Sequence, residues 1–123
     1  MTMHLELKQR IEERYRDALA GPLELKQDAL LVHLRNGVSA ELRFASRDEY
    51  SIAWRWGDAE LRIDTAPLHA QLATFPNHLH DADGRLRSDA LTRPRGEPCD
   101  NACAVIDALL ADPLLRPAEG SAY

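Results

Sequence analysis

The sequence predicts an α+β domain: an N-terminal helix, a four- to five-stranded antiparallel β-meander, and a C-terminal helix packed on the sheet. Three observations predict it. Apolar residues recur at three- and four-residue spacing near both ends, strict alternation fills the middle, and Gly, Asn and Asp punctuate the alternating runs. At 123 residues the chain is one domain's worth and can bury a core without disulfides or a structural metal. The expected layout is a single domain over residues 1–115 with a loose tail over 116–123.

From Leu5 to Ala20, Leu7, Ile11, Tyr15, Ala18 and Leu19 line one face, and Glu and Arg fill the others, which is the pattern of an amphipathic helix. Gly21-Pro22 is its expected stop. Ala29–Arg35 places Leu30, Val32 and Leu34 on one side, Asn36-Gly37 marks a two-residue hairpin, and Val38–Phe44 resumes the alternation. Tyr50, Ile52, Trp54 and Trp56 alternate along a third strand, Gly57-Asp58 turns the chain, and Leu61 and Ile63 continue the buried face. The opposite face then carries His33, Glu41, Arg43, Arg55, Glu60, Arg62 and Asp64, either as the solvated side of a half-buried sheet or as a surface for phosphate or an acidic partner.

Regular patterning fails from Thr65 to Asp81, where Pro67 and Pro76 interrupt the chain and His69, Asn77, His78 and His80 are gathered. A fifth strand or hairpin around Asp83-Gly84 is the expected continuation. After the linker Arg93–Pro98, Ala102, Val105, Ile106, Leu109 and Leu110 form the stripe of a second helix that starts near Pro98 and ends by Asp112.

Composition narrows the function classes. A hydrophobic fraction of 45% with 28% charged residues is that of a folded globular chain, not a disordered one. The net charge of −5 repels polyanions globally, so nucleic-acid binding would need a local patch. Thirteen arginines stand against Lys8 and Lys26; the guanidinium fork suits phosphate, although a GC-rich coding bias gives the same skew. Two cysteines, Cys99 and Cys103, are too few and too close for a disulfide framework. With no membrane-spanning run and no signal-peptide pattern at the N-terminus, the expected compartment is the cytoplasm.

His78 and His80 alternate with Leu79, so in extended backbone both imidazoles point to one face. Three readings fit. The first is a metal site completed by His69, Asp81 or Asp83. The second is metal-free phosphodiester cleavage, with His78, His80 and His69 as acid and base and Arg55, Arg62 or Arg85 against the phosphate. The third is a loop whose histidines only cap a turn. No phosphate-binding glycine loop, nucleophile elbow or His-Glu-x-x-His pattern accompanies them.

Tyr50-Ser51-Ile52-Ala53-Trp54, Arg62-Ile63-Asp64-Thr65-Ala66-Pro67-Leu68-His69 and Thr74-Phe75-Pro76-Asn77-His78-Leu79-His80 together resemble the TumE-type toxins of prokaryotic toxin–antitoxin modules. Phe-Pro-x-His-x-His is the most specific element, and the similarity spans roughly residues 25 to 110. Two departures accompany it: the segment before His69 has Thr65 where that family often has Asn and an inserted Leu68, and Asn77 stands where that family has the first histidine of a pair. The resemblance implies a small toxin neutralised by a DNA-binding antitoxin encoded beside it. Action on RNA, as a ribonuclease without cofactor or bound metal through His78, His80, His69, Arg62 and Arg55, is the expectation drawn from the histidines. A non-enzymatic module that binds an antitoxin or another protein is the alternative, and a histidine-metal hydrolase a third.

Overall fold

The computed structural model describes residues 3–116; of the expected tail, residues 117–123 lie outside them. The architecture is α+β, with two helices on one face of a seven-stranded antiparallel sheet whose strands follow chain order without a crossover. The elements are α1 (Met3–Arg14), β1 (Glu24–Lys26), β2 (Ala29–His33), β3 (Ser39–Phe44), β4 (Tyr50–Trp56), β5 (Ala59–Asp64), β6 (His78–His80), β7 (Leu86–Ser88) and α2 (Pro98–Ala111). No described helix is long and apolar enough to cross a membrane.

Register explains the core. Leu30, Leu42, Ile52, Ile63 and Leu79 are cross-strand neighbours in turn from β2 to β6, and all five are buried. Each is worth roughly 1.5–3 kcal/mol when fully removed from water. Val32, Ala40, Trp54 and Leu61 form the adjacent row. Leu7 and Ile11 of α1 and Ala102, Val105, Ile106 and Leu109 of α2 close the same cluster from above. The two helices are tied by the Tyr15 hydroxyl, which donates to Asp107 Oδ1 at 2.7 Å and lies 3.1 Å from the Cys103 carbonyl.

Four local details differ from expectation. Helix α1 ends at Arg14, not Ala20, because the following backbone pairs with the end of β2: Ala20 N–H donates to the His33 carbonyl and Arg35 N–H to the Ala18 carbonyl. Asn36-Gly37 is not a two-residue turn. Only Gly37 has positive φ, at 97°, and Leu34 N–H donates to Val38 O while Gly37 N–H donates to Leu34 O, the three-residue loop with a left-handed glycine. The Asn36 side chain is occupied instead in bridging Val38 N–H and the Leu109 carbonyl of α2. Strand β1 had no turn signal to announce it, since Gln27 supplies the positive φ that glycine usually supplies. Finally, the region around Asp83-Gly84 is the hairpin β6–β7, and β6 begins at His78, inside the stretch expected to be irregular.

Candidate functional site

Because Leu79 faces the core opposite Ile63, His78 and His80 must face the other way. They lie on the outer face of the sheet, away from the helices. His78 pairs in register with Asp64 and His80 with Arg62, so two histidines, a carboxylate and a guanidinium share one patch across β5 and β6. The connection 65–77 folds back over it and brings His69 against both imidazoles. The His69 ring meets His78 edge-on at 4.8 Å and lies 6.4 Å from His80, while His78 and His80 are 4.9 Å apart.

Asp64 is the hub. Its Oδ1 lies 2.8 Å from His78 Nε2, and its Oδ2 lies 2.9 Å from Arg62 Nε and 3.5 Å from His80 Nε2; the Ala66 N–H also donates to Oδ1. Arg62 Nη2 donates to His80 Nε2 at 3.2 Å, which leaves that nitrogen as the lone-pair side of a neutral ring. Burial, reinforced by the Arg62 cation and opposed by Asp64, lowers the His80 pKa from its ordinary value.

The histidines are not equivalent. The His78 side chain is 2% exposed and that of His80 is 35% exposed, and His69 is half-buried. Both His78 nitrogens face acceptors, since Nδ1 is 3.2 Å from the Pro76 carbonyl and Nε2 faces the Asp64 carboxylate. A neutral imidazole donates to only one of them.

A buried polar cluster holds the connection in place. Asn77 Nδ2 donates to Asp89 Oδ2 and to the Thr92 carbonyl, both at 2.9 Å. Asp89 also accepts from the Leu91 and Thr92 amides and the Thr92 hydroxyl, and that hydroxyl bonds the Tyr50 phenol. Thr74 Oγ1 accepts from the Asp89 amide and donates to the Asn77 carbonyl. The Phe75–Pro76 peptide bond inside this segment is cis.

Of the residues expected from sequence, His69, His78, His80 and Arg62 come together. Arg55 does not join them: it sits in a different cross-strand row and pairs with Glu60 at 3.2 Å. Arg55, Arg62 and His80 do line one outer-face concavity of about 580 Å³, floored in part by Ala53. Among the described residues the grouping with metal-ligand spacing is Asp64, His78 and His80, not one completed by Asp81 or Asp83. The Asp81 carboxylate caps the β6–β7 turn through the Asp83 and Arg85 amides. Asp64 was visible in sequence as an outward residue at the end of an alternating strand, but its role depends on the non-local pairing of β5 with β6. Asp89 had no signal beyond its polarity, and Asn77 was marked only as a departure from a histidine, not as a buried structural amide.

Comparisons with protein-family models, with curated proteins and with solved structures return no match for this chain.

Proposed function

We propose that this protein is a TumE-like toxin that cleaves RNA without a metal ion, with His80 and His69 as the acid–base pair. The observation that carries the reading is the flanking of buried His78 by two solvent-reachable imidazoles, 6.4 Å apart, beside the Arg62 guanidinium. His80, neutral and with a lone pair on Nε2, takes the 2′-hydroxyl proton. The 2′ oxygen attacks phosphorus, and the 5′ oxygen leaves with a proton from His69, yielding a 2′,3′-cyclic phosphate. Arg62 turns from His80 to the phosphate, baring the base and balancing the charge that develops on the phosphoryl oxygens. His78 is too buried to meet substrate and acts as a positioning residue, locked between Asp64 and the Pro76 carbonyl. The partner in this reading is a DNA-binding antitoxin that covers the site.

The test is cleavage of a single-stranded RNA by purified protein in the presence of chelator, with end-group analysis. Expected are cyclic phosphate ends, no cleavage where a 2′-deoxy residue replaces the scissile nucleotide, and loss of activity in His80→Ala and His69→Ala. Equal cleavage by parent and variants overturns the roles, and no cleavage by the parent overturns the activity.

A second reading has one observation in its favour. The outer-face arginines Arg43, Arg55 and Arg62 are each paired with a carboxylate, Glu41, Glu60 and Asp64, which leaves little unbalanced positive charge for RNA. A module that only binds protein would form a stoichiometric antitoxin complex and leave RNA intact in the same assay.

A further inference from the structure

We propose that Asp64, His78 and His80 bind one divalent transition-metal ion of the zinc class, in exchange for Arg62, and that the bound ion silences the site. The silencing half rests on the RNA-cleavage reading above; the binding half stands on geometry alone.

His78 can present a nitrogen lone pair to a cation held by Asp64. Its Nδ1 is 3.2 Å from the Pro76 carbonyl and its Nε2 is 2.8 Å from Asp64 Oδ1, with the ring shut away from water. If Nδ1 holds its proton for the carbonyl, a lone pair on Nε2 points at a carboxylate oxygen. In that tautomer a metal ion between the two relieves the contact; in the other, Nε2–H donates to Asp64 and Nδ1 is the lone-pair side. An N–H donated to a backbone carbonyl is also the usual way a metal-binding imidazole is oriented.

The spacing suits an ion. Ligand bonds of roughly 2.0–2.2 Å place tetrahedral donors about 3.3 Å apart. His78 Nε2 is 2.8 Å from Asp64 Oδ1 and His80 Nε2 is 3.5 Å from Asp64 Oδ2, and with one ligand atom taken from each residue the three lie within 4.8 Å of one another. Two imidazoles and one carboxylate form a three-ligand set that leaves a further position for water or for His69.

Arg62 is the resident competitor. Its Nε and Nη2 bond Asp64 Oδ2 and His80 Nε2, two of the atoms that the ion would bridge, and its half-exposed side chain has room to withdraw. Once the ion is bound, His80 Nε2 has no lone pair for the 2′-hydroxyl proton. Zinc and RNA cleavage therefore exclude one another.

The experiment uses tag-free protein titrated calorimetrically with Zn²⁺ alone, and with Co²⁺ for its absorption spectrum, while circular dichroism verifies that each variant is folded. Expected are one equivalent bound, nitrogen–oxygen ligation with no sulfur-to-cobalt band, binding weakened roughly tenfold or more in Asp64→Asn and His80→Ala, and tighter binding in Arg62→Gln. Absence of a bound equivalent in both the parent and Arg62→Gln overturns the site, as does a parent-like affinity in folded Asp64→Asn. RNA cleavage is followed in parallel. Zinc that binds and stops cleavage supports both halves, and zinc that binds while cleavage continues overturns the silencing. Zinc bound by a parent that never cleaves RNA upholds the site and overturns the ribonuclease reading. Cleavage without zinc binding does the reverse.

Discussion

The two faces of the sheet are built from the same strands, one residue out of step, and they are opposites in physics. On the inner face the row from Leu30 to Leu79 is continuous, apolar and covered by both helices. On the outer face the neighbouring row runs Leu31, Glu41, Ala53, Arg62, His80 and Leu86. Over β2 to β4 that face stays wet and its charges pair locally, as Arg43 does with Glu41. Over β5 and β6 the connection 65–77 lies against it, and there alone does an outward histidine become 1% exposed. The difference teaches that alternation creates polar side chains on a face, and a covering loop turns a few of them into a site.

Removing a large side chain from the inner face should have the biggest effect. Trp54→Ala deletes a buried indole that also donates to the Pro113 carbonyl; about 3–5 kcal/mol of stability should be lost, seen as a large fall in the urea midpoint. His80→Ala on the outer face should do the converse. RNA cleavage should fall about 10²–10⁴-fold while the urea midpoint stays close to the parent's, and a fall in both would blur the distinction drawn between the faces.

Asn77→Ala tests the loop that joins the two behaviours. It strips a donor from buried Asp89 and from the Thr92 carbonyl, at a cost of about 1–3 kcal/mol. Amide exchange should accelerate over residues 65–77 before it does in β2 to β4. The smallest effect is expected of Arg55→Ala. Its side chain is two-thirds exposed and paired only with exposed Glu60, and such pairs add little, so both the urea midpoint and the cleavage rate should match the parent.

Much of this was legible in the residues. Strands β2 to β5 and helix α2 follow directly from spacing, because each is half-buried against one partner and its period records that burial. The shared direction of His78 and His80 was legible for the same reason. Asp64 as their common partner was not, since it depends on which strand pairs with β6 and in what register, information carried by no local pattern. Asn77 illustrates the same limit: in sequence it stood out only as a departure from a resembled pattern, whereas its amide is committed to the buried Asp89 cluster. The overlong α1 is the simplest case, for its apolar period continues through Leu19 while the backbone has already turned to pair with β2.

Helix α2 contributes Ala102, Val105, Ile106 and Leu109 to the inner face and follows all seven strands in the chain. Every residue of the meander is thus made before the helix that, alongside α1, covers its inner face. Until α2 docks, the folding chain carries a partly uncovered apolar sheet, the kind of surface that chaperones hold and that aggregates when they do not. Keeping α2 from docking would therefore show the protein at its stickiest, and this helix serves as the lid that ends the exposure.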